Sequence, residues 1–129
     1  VIAIDSSVWI NVWPGVQTPA SLRLTENAST ARIVTLDLVL FELLQGVRDD
    51  SHAARLNEVL CAFPVHETLG AEAARSAASR CRALRAVGVT PRSFTDVVIA
   101  SWCVTNNAAL LQDDRDYGLI APHLGLRLA

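Results

Sequence analysis

Short apolar runs alternate with longer stretches of helical periodicity along this chain. Residues 1–4 read as a buried strand that leads into Asp5-Ser6-Ser7. Ser6 or Ser7 suits the cap of a helix through Val8, Trp9 and Ile10, which Pro14 and Gly15 stop or bend. A helix is expected over about 19–27, a strand rich in Ile, Val and Thr over 31–35, and a strongly apolar helix over 36–47 with Gly46 near its end. A second helix over 51–60, a brief strand over 63–65 and an alanine-rich helix over 70–87 closed by Gly88 follow. Then come a helix within 91–106 opened by Ser93, an apolar strand over 108–111, an acidic turn over 113–116 and a last edge strand over 126–128. Strands alternating with longer helices predict an α/β domain whose mainly parallel sheet is covered on both faces.

Composition narrows the class. The chain has 129 residues, 51% of them apolar, enough for one sizeable core, and residues 1–129 are expected to form a single domain. No run approaches the length of a membrane span, and the first ten residues carry Asp5 and no basic leader, so a cytoplasmic, membrane-free protein is expected. Cys61, Cys81 and Cys103 are scattered without metal-ligand spacing and read as buried free thiols. A net charge of −2 argues against a protein that coats nucleic acid non-specifically, but not against one that grips a few phosphates. All 11 basic residues are Arg. Arg75, Arg80, Arg82 and Arg85 cluster, either as a solvated helix face or as a phosphate grip.

The acidic residues carry the chemistry. Glu42 interrupts an apolar stretch, Leu38 to Leu44, that reads as deeply packed. A carboxylate there costs several kcal/mol unless a cation, a metal or an open cleft faces it, so an ordinary buried ion pair and a functional role both remain open. Ser93-Phe94-Thr95-Asp96 has the form of a capping box, although Asp96 also precedes a buried apolar run and can point into a cleft. Asp5 follows one predicted strand, and Asp114 and Asp116 follow another, at the sheet edge where open parallel sheets bind ligands. Carboxylates gathered there repel one another, and a hard divalent cation such as Mg2+ or Mn2+ relieves the repulsion. His52, His66 and His123 are scattered and make no acid/base set.

With those residues in view, the sequence resembles the PIN-domain family, in particular the VapC-type toxins of bacterial toxin and antitoxin pairs. Ile4-Asp5-Ser6-Ser7-Val8-Trp9-Ile10 resembles the family's opening strand and first acid, and Phe41-Glu42-Leu43-Leu44-Gln45-Gly46 its helix-borne Glu segment. Asp96-Val97-Val98-Ile99-Ala100 resembles the third acidic motif, and Leu110-Leu111-Gln112-Asp113-Asp114-Arg115-Asp116-Tyr117 the fourth. The resemblance covers essentially the whole chain and implies a three-layer α/β/α sandwich with a mainly parallel central sheet. It implies a Mg2+-dependent endoribonuclease toxin, with Mn2+ able to substitute, that cleaves RNA such as transfer or ribosomal RNA. A cognate antitoxin and a homodimer are the implied partners. By resemblance Asp5, Glu42, Asp96 and Asp114 are the catalytic and metal-holding acids, with Asp116 as a further metal group and Ser6 as a supporting hydroxyl, unless Ser6 serves only as a helix cap.

Two departures stand out. Gln112, at the supporting position beside the fourth acid, replaces the family's usual Thr or Ser and is expected to support the site with Ser6, and Asp113 adds a charge beside it; both departures favour the alternative of a catalytically weakened RNA- or protein-binding module. Tyr117 for the usual Phe is a mild change. A flavodoxin-like or receiver-like regulatory domain accounts for acids at strand ends but not for Glu42, and the chain has no Lys. Arg48, Arg75, Arg82 and Arg85 are candidate contacts to RNA or to a partner. Trp9, Trp13 and Trp102 are expected in a core or dimer interface, with RNA stacking as the other use.

Overall fold

The computed structural model describes residues 1–15, 17–28 and 32–129. Five strands form one sheet: β1 (Ile2–Ile4), β2 (Ile33–Leu36), β3 (Val65–His66), β4 (Ala109–Leu111) and β5 (Arg127–Leu128). Their order is β3-β2-β1-β4-β5, and every neighbouring pair is parallel. β1 lies at the centre, with Ile2 opposite Ile33 on one side and Ile4 opposite Leu111 on the other. Ala3, Ile4, Leu110 and Leu111 are all buried, as a strand covered on both faces requires.

The helices are α1 (Ser6–Val12), α2 (Pro19–Asn27), α3 (Asp37–Gln45), α4 (Asp50–Leu60), α5 (Ala71–Ala86), α6 (Phe94–Thr105) and α7 (Asp116–Leu124). Right-handed crossovers between parallel strands put α1–α4 on one face and α5–α7 on the other. The packing agrees: α1 touches α2 and α3, α3 touches α4, and α5, α6 and α7 touch one another. The result is the three-layer α/β/α sandwich with a parallel sheet. The strand order reverses between β1 and β4, so their carboxyl ends flank a crevice at the topological switch point.

Three local expectations are corrected. Asp5, not Ser6 or Ser7, caps α1, since its carboxylate accepts the Ser7 N–H. α3 is not deeply packed: Val39 alone is fully buried in it, and Phe41 is 67% exposed. No element is assigned from the sequence to the stretch after the acidic turn, which forms helix α7 despite Gly118 and Pro122 within it, because Tyr117, Ile120 and Ala121 bury one side in the core. Gly125 ends α7 with a left-handed backbone, φ 71°, that a residue with a Cβ rarely adopts, and so turns the chain into β5. Finally, Cys61 is exposed, with Cys81 half-buried and Cys103 buried, all as free thiols. Ala31, the first residue of the second predicted strand, lies outside the described residues.

Candidate metal and active site

Backbone geometry assembles the site. The Asp5 N–H donates to the Leu111 carbonyl at 2.9 Å, which continues the pairing of β1 with β4 past their last residues. Asp5 and the segment Gln112-Asp113-Asp114 therefore leave the sheet side by side. α3 follows β2 and carries Glu42, α6 carries Asp96 in its first turn, and α7 begins at Asp116. Together they enclose an open cleft of about 440 Å³ lined by Asp5, Ser6, Glu42, Asp96, Asp114 and Asp116. All five predicted acids and Ser6 thus face one space.

Within this cleft Asp96, Asp114 and Asp116 form the tightest group, with one carboxylate oxygen from each lying within 4.8 Å of the others. Asp114 also accepts the Asp116 N–H at 2.9 Å, fixing the turn that presents both acids. The capping box foreseen around Asp96 does not form: Ser93 is the N-cap of α6 but its side chain makes no capping bond. Asp96 instead faces the Tyr117 hydroxyl at 3.3 Å.

The electrostatics follow from crowding. Burial, and then the charges of Asp5, Asp114 and Asp116, push the Asp96 carboxyl up to about 6, against a smaller opposing pull from the Tyr117 hydroxyl. Burial also raises Glu42, with Asp5 and Asp96 adding to it and Ser6 opposing. Glu42 Oε1 is buried without a hydrogen-bond partner. An orphaned carboxylate oxygen in a cleft lined by four other acids is a donor set suited to a hard divalent cation. The three-Asp group has the spacing to coordinate one.

Supporting bonds come from residues whose roles at the site one sequence does not show. The Ser7 hydroxyl donates to Asp5 Oδ2 and accepts the Asp113 N–H at 3.0 Å, so it ties the two strand ends together. Asp113 itself accepts from Asn11 at 3.0 Å and Thr18 at 2.7 Å, an engagement that turns its charge to joining α1, α2 and the loop after β4. Tyr117 is fully buried and donates to Asp5 Oδ1 at 2.9 Å. Its spacing of one helical turn from Asp114 is a usable signal only once α7 is foreseen. Gln112 lies outside the cleft lining, and its Oε1 is buried without a partner.

The basic residues divide differently from the expectation. Arg48, Arg75, Arg82 and Arg85 are exposed and none lines the cleft. Arg75, Arg82 and Arg85 fall within one arc of α5, whereas Arg80 turns inward and donates to Ser101 at 2.6 Å. Arg92, missed in the sequence, stands at the rim of the cleft, 3.8 Å from Asp116 and with its side chain 80% exposed. Trp9 is buried, with its ring 6.2 Å from Phe63, while Trp13 is 45% exposed beside His52, and Trp102 is half-buried against His66. A second, apolar cleft of about 370 Å³ includes Trp9, Trp13, Leu43 and Leu56 and shares Ile10 and Glu42 with the acidic one. Among the described residues no helix is long and apolar enough to cross a membrane.

Known proteins agree with this architecture. The Ribonuclease VapC11 of Mycobacterium tuberculosis is 29% identical over 131 residues, covering 100% of this chain and 98% of its own. The VapC ribonuclease Mb1587 of Mycobacterium bovis matches to the same extent, 29% over 131 residues. Among solved structures, VapBC2 from Rickettsia felis bound to a DNA fragment from their promoter superposes with a TM-score of 0.79 at 17% identity, covering 99% of this chain and 96% of that one. DNA-bound VapBC from Salmonella typhimurium gives 0.77 at 17% identity, with coverage of 99% and 96%. These two structures speak to the fold. The PIN-domain family model matches residues 2–121, and on that match the chain, with its parallel sheet and acidic cleft, belongs to the PIN-domain family as a homologue of VapC-type toxins.

Proposed function

We propose that residues 1–129 form a metal-dependent endoribonuclease, the toxin of a toxin and antitoxin pair, which uses Mg2+ or, in its place, Mn2+ to hydrolyse phosphodiester bonds in RNA. The observation that carries this reading is the convergence of Asp5, Glu42, Asp96, Asp114 and Asp116 on one cleft at the switch point of the sheet. Asp96, Asp114 and Asp116 would hold the cation, and Asp5 and Glu42 would complete its surroundings directly or through water. A bound cation supplies neutralisation of phosphate charge and activation of a water. The chain's own residues hold the acids still: Ser7 and Tyr117 fix Asp5, and the Asp116 N–H fixes Asp114. Attack by water leaves a 5′-phosphate and a 3′-hydroxyl. Transfer or ribosomal RNA is the proposed substrate and the cytoplasm the proposed site of action.

Arg92 at the rim, with Arg48, Arg75, Arg82 and Arg85 on the exposed surface, would contact RNA or a partner. The relatives solved as VapBC complexes, and the apolar cleft that shares Glu42 with the acidic one, support an antitoxin partner. A homodimer is proposed on the family resemblance and on the large exposed side chains of Trp13 and Phe41. A catalytically weakened binding module keeps one observation in its favour, the partnerless Gln112 Oε1. The Asp113 carboxylate is engaged by the neutral donors of Asn11 and Thr18, and its negative charge stays beside the site.

The test is incubation of a small-RNA pool with wild type and D96N in EDTA, Mg2+ or Mn2+. Discrete fragments from wild type with metal alone are expected. Cleavage that survives both EDTA and D96N would refute the carboxylate mechanism, and no cleavage under any condition transfers the weight to binding.

A further inference from the structure

The geometry assigns Tyr117 the role of a positioning residue: its hydroxyl joins Asp5 to Asp96 and fixes which carboxylate oxygens remain free to meet a cation. The assignment rests on reading the cleft as a metal-holding nuclease site. Tyr117 sits in the first turn of α7 with its ring fully buried, so the hydroxyl is held against the Asp5 and Asp96 carboxylates that line the cleft. Its oxygen is 2.9 Å from Asp5 Oδ1 and 3.3 Å from Asp96 Oδ1. One hydroxyl carries one proton, so the short contact takes most of the donation and the long one a minor share.

The consequence is clearest at Asp5. Its Oδ2 already accepts the Ser7 N–H at 3.1 Å and the Ser7 hydroxyl, and Oδ1 accepts from Tyr117. Of the roughly four lone-pair sites of a carboxylate, the protein occupies all but one, on Oδ1. Asp5 is thereby prepared to offer a single oxygen in a single direction. Among the described residues no hydrogen bond reaches Asp96 Oδ2, which leaves that oxygen available to a cation. A neutral donor between two carboxylates also lowers the cost of holding them close.

A buried tyrosine hydroxyl needs a hydrogen-bond partner in any fold, and the rival account is that Asp5 merely satisfies Tyr117. The two accounts separate on metal affinity. The experiment is calorimetric titration of the full chain with Mn2+, wild type against Tyr117→Phe, with folding of both checked by circular dichroism. Loss of a group that orients a ligand is expected to weaken Mn2+ binding about 10-fold. Equal or tighter binding in the variant overturns the assignment and leaves the nuclease reading standing. Absence of Mn2+ uptake by wild type overturns the nuclease reading itself and the assignment with it.

Should Y117F not fold, wild type alone decides the matter. Tyr117 is the one tyrosine of the chain. Tyrosine labelled at the ring carbon that bears the hydroxyl gives a single resonance, expected to move during a Mg2+ titration and to stop at saturation of the site. A resonance that stays in place through saturation overturns the assignment.

Discussion

Replacing Asp96 by Asn removes one charge from the cleft and keeps an oxygen for Tyr117 to contact. The Asp96 carboxyl stands at about 6 rather than its ordinary 3.8. At about 1.4 kcal/mol per tenfold change in proton affinity, that displacement is roughly 3 kcal/mol against the charged form. The cleft is open to water, so about half of it, ~1.5 kcal/mol, is carried forward after screening. The folded chain keeps the Asp96 proton up to about pH 6, whereas the unfolded chain releases it near 3.8. Between those values the folded state binds more protons, and stability falls as pH rises through the window. In EDTA at about pH 7.5, D96N is therefore expected to be more stable than wild type by ~1.5 kcal/mol, or roughly 4–8 °C in Tm. The advantage disappears only below about pH 3, where the wild-type carboxyl, which titrates near 3.8 in the unfolded chain, is neutral in both states. Saturating Mg2+ should narrow or reverse the order, since wild type gains binding free energy that the variant forgoes. Thermal melts in EDTA across this pH range supply the test, and a D96N no more stable than wild type at neutral pH, or a gain undiminished in acid, refutes the reasoning.

Three further outcomes follow from the bonds around the cleft and from α3. Asp113→Ala removes the acceptor shared by Asn11 and Thr18 and should cost about 2 kcal/mol in urea unfolding; a loss below about 0.5 kcal/mol contradicts its role as a junction. Ser7→Ala deletes the bridge between Asp5 and the Asp113 N–H and should lower Mg2+-dependent RNA cleavage by about 10–100-fold, so wild-type rates would exclude it. In α3, Val39→Ala should destabilise by about 2 kcal/mol and Phe41→Ala by less than about 0.5, because Val39 is fully buried and Phe41 is 67% exposed. Equal shifts in the urea midpoint would show that the isolated helix packs otherwise.

The alternation of apolar runs with helical periodicity made the parallel sheet legible, and α2 falls on its expected residues 19–27. Acids that terminate strands marked the site because a parallel sheet places all its carboxyl ends on one edge. Helix α7 was not legible, since Gly118 and Pro122 lower local propensity and only the burial of Tyr117 and Ile120 restores the helix. The apolar face of α3 misled in the opposite sense. A sequence shows that residues such as Phe41 avoid water, but not which surface covers them, and here the chain's own core does not. Asp113 was read as an added charge because its partners, Asn11 and Thr18, lie about a hundred residues away in sequence. The roles of Ser7 and Tyr117 beside Asp5 were not legible for the same reason, as they depend on distances rather than on residue type.

The central position of β1 bears on how the protein comes into being. Ile2 must wait for Ala109 before its second edge is paired, and Asp5 for Leu111 before its N–H is satisfied across the gap. Contacts of such sequence separation are closed late, because the entropy of the intervening loop is lost before the pairing rewards it. On the ribosome, β1 with α1–α4 can emerge and begin to associate while β4 is still inside the tunnel. During that interval Asp5 and Glu42 have neither Asp114 nor Asp116 beside them, and the repulsion that those two acids add is not yet present. The burden of assembling the cleft thus falls on the last step of folding, when the central strand gains its second neighbour.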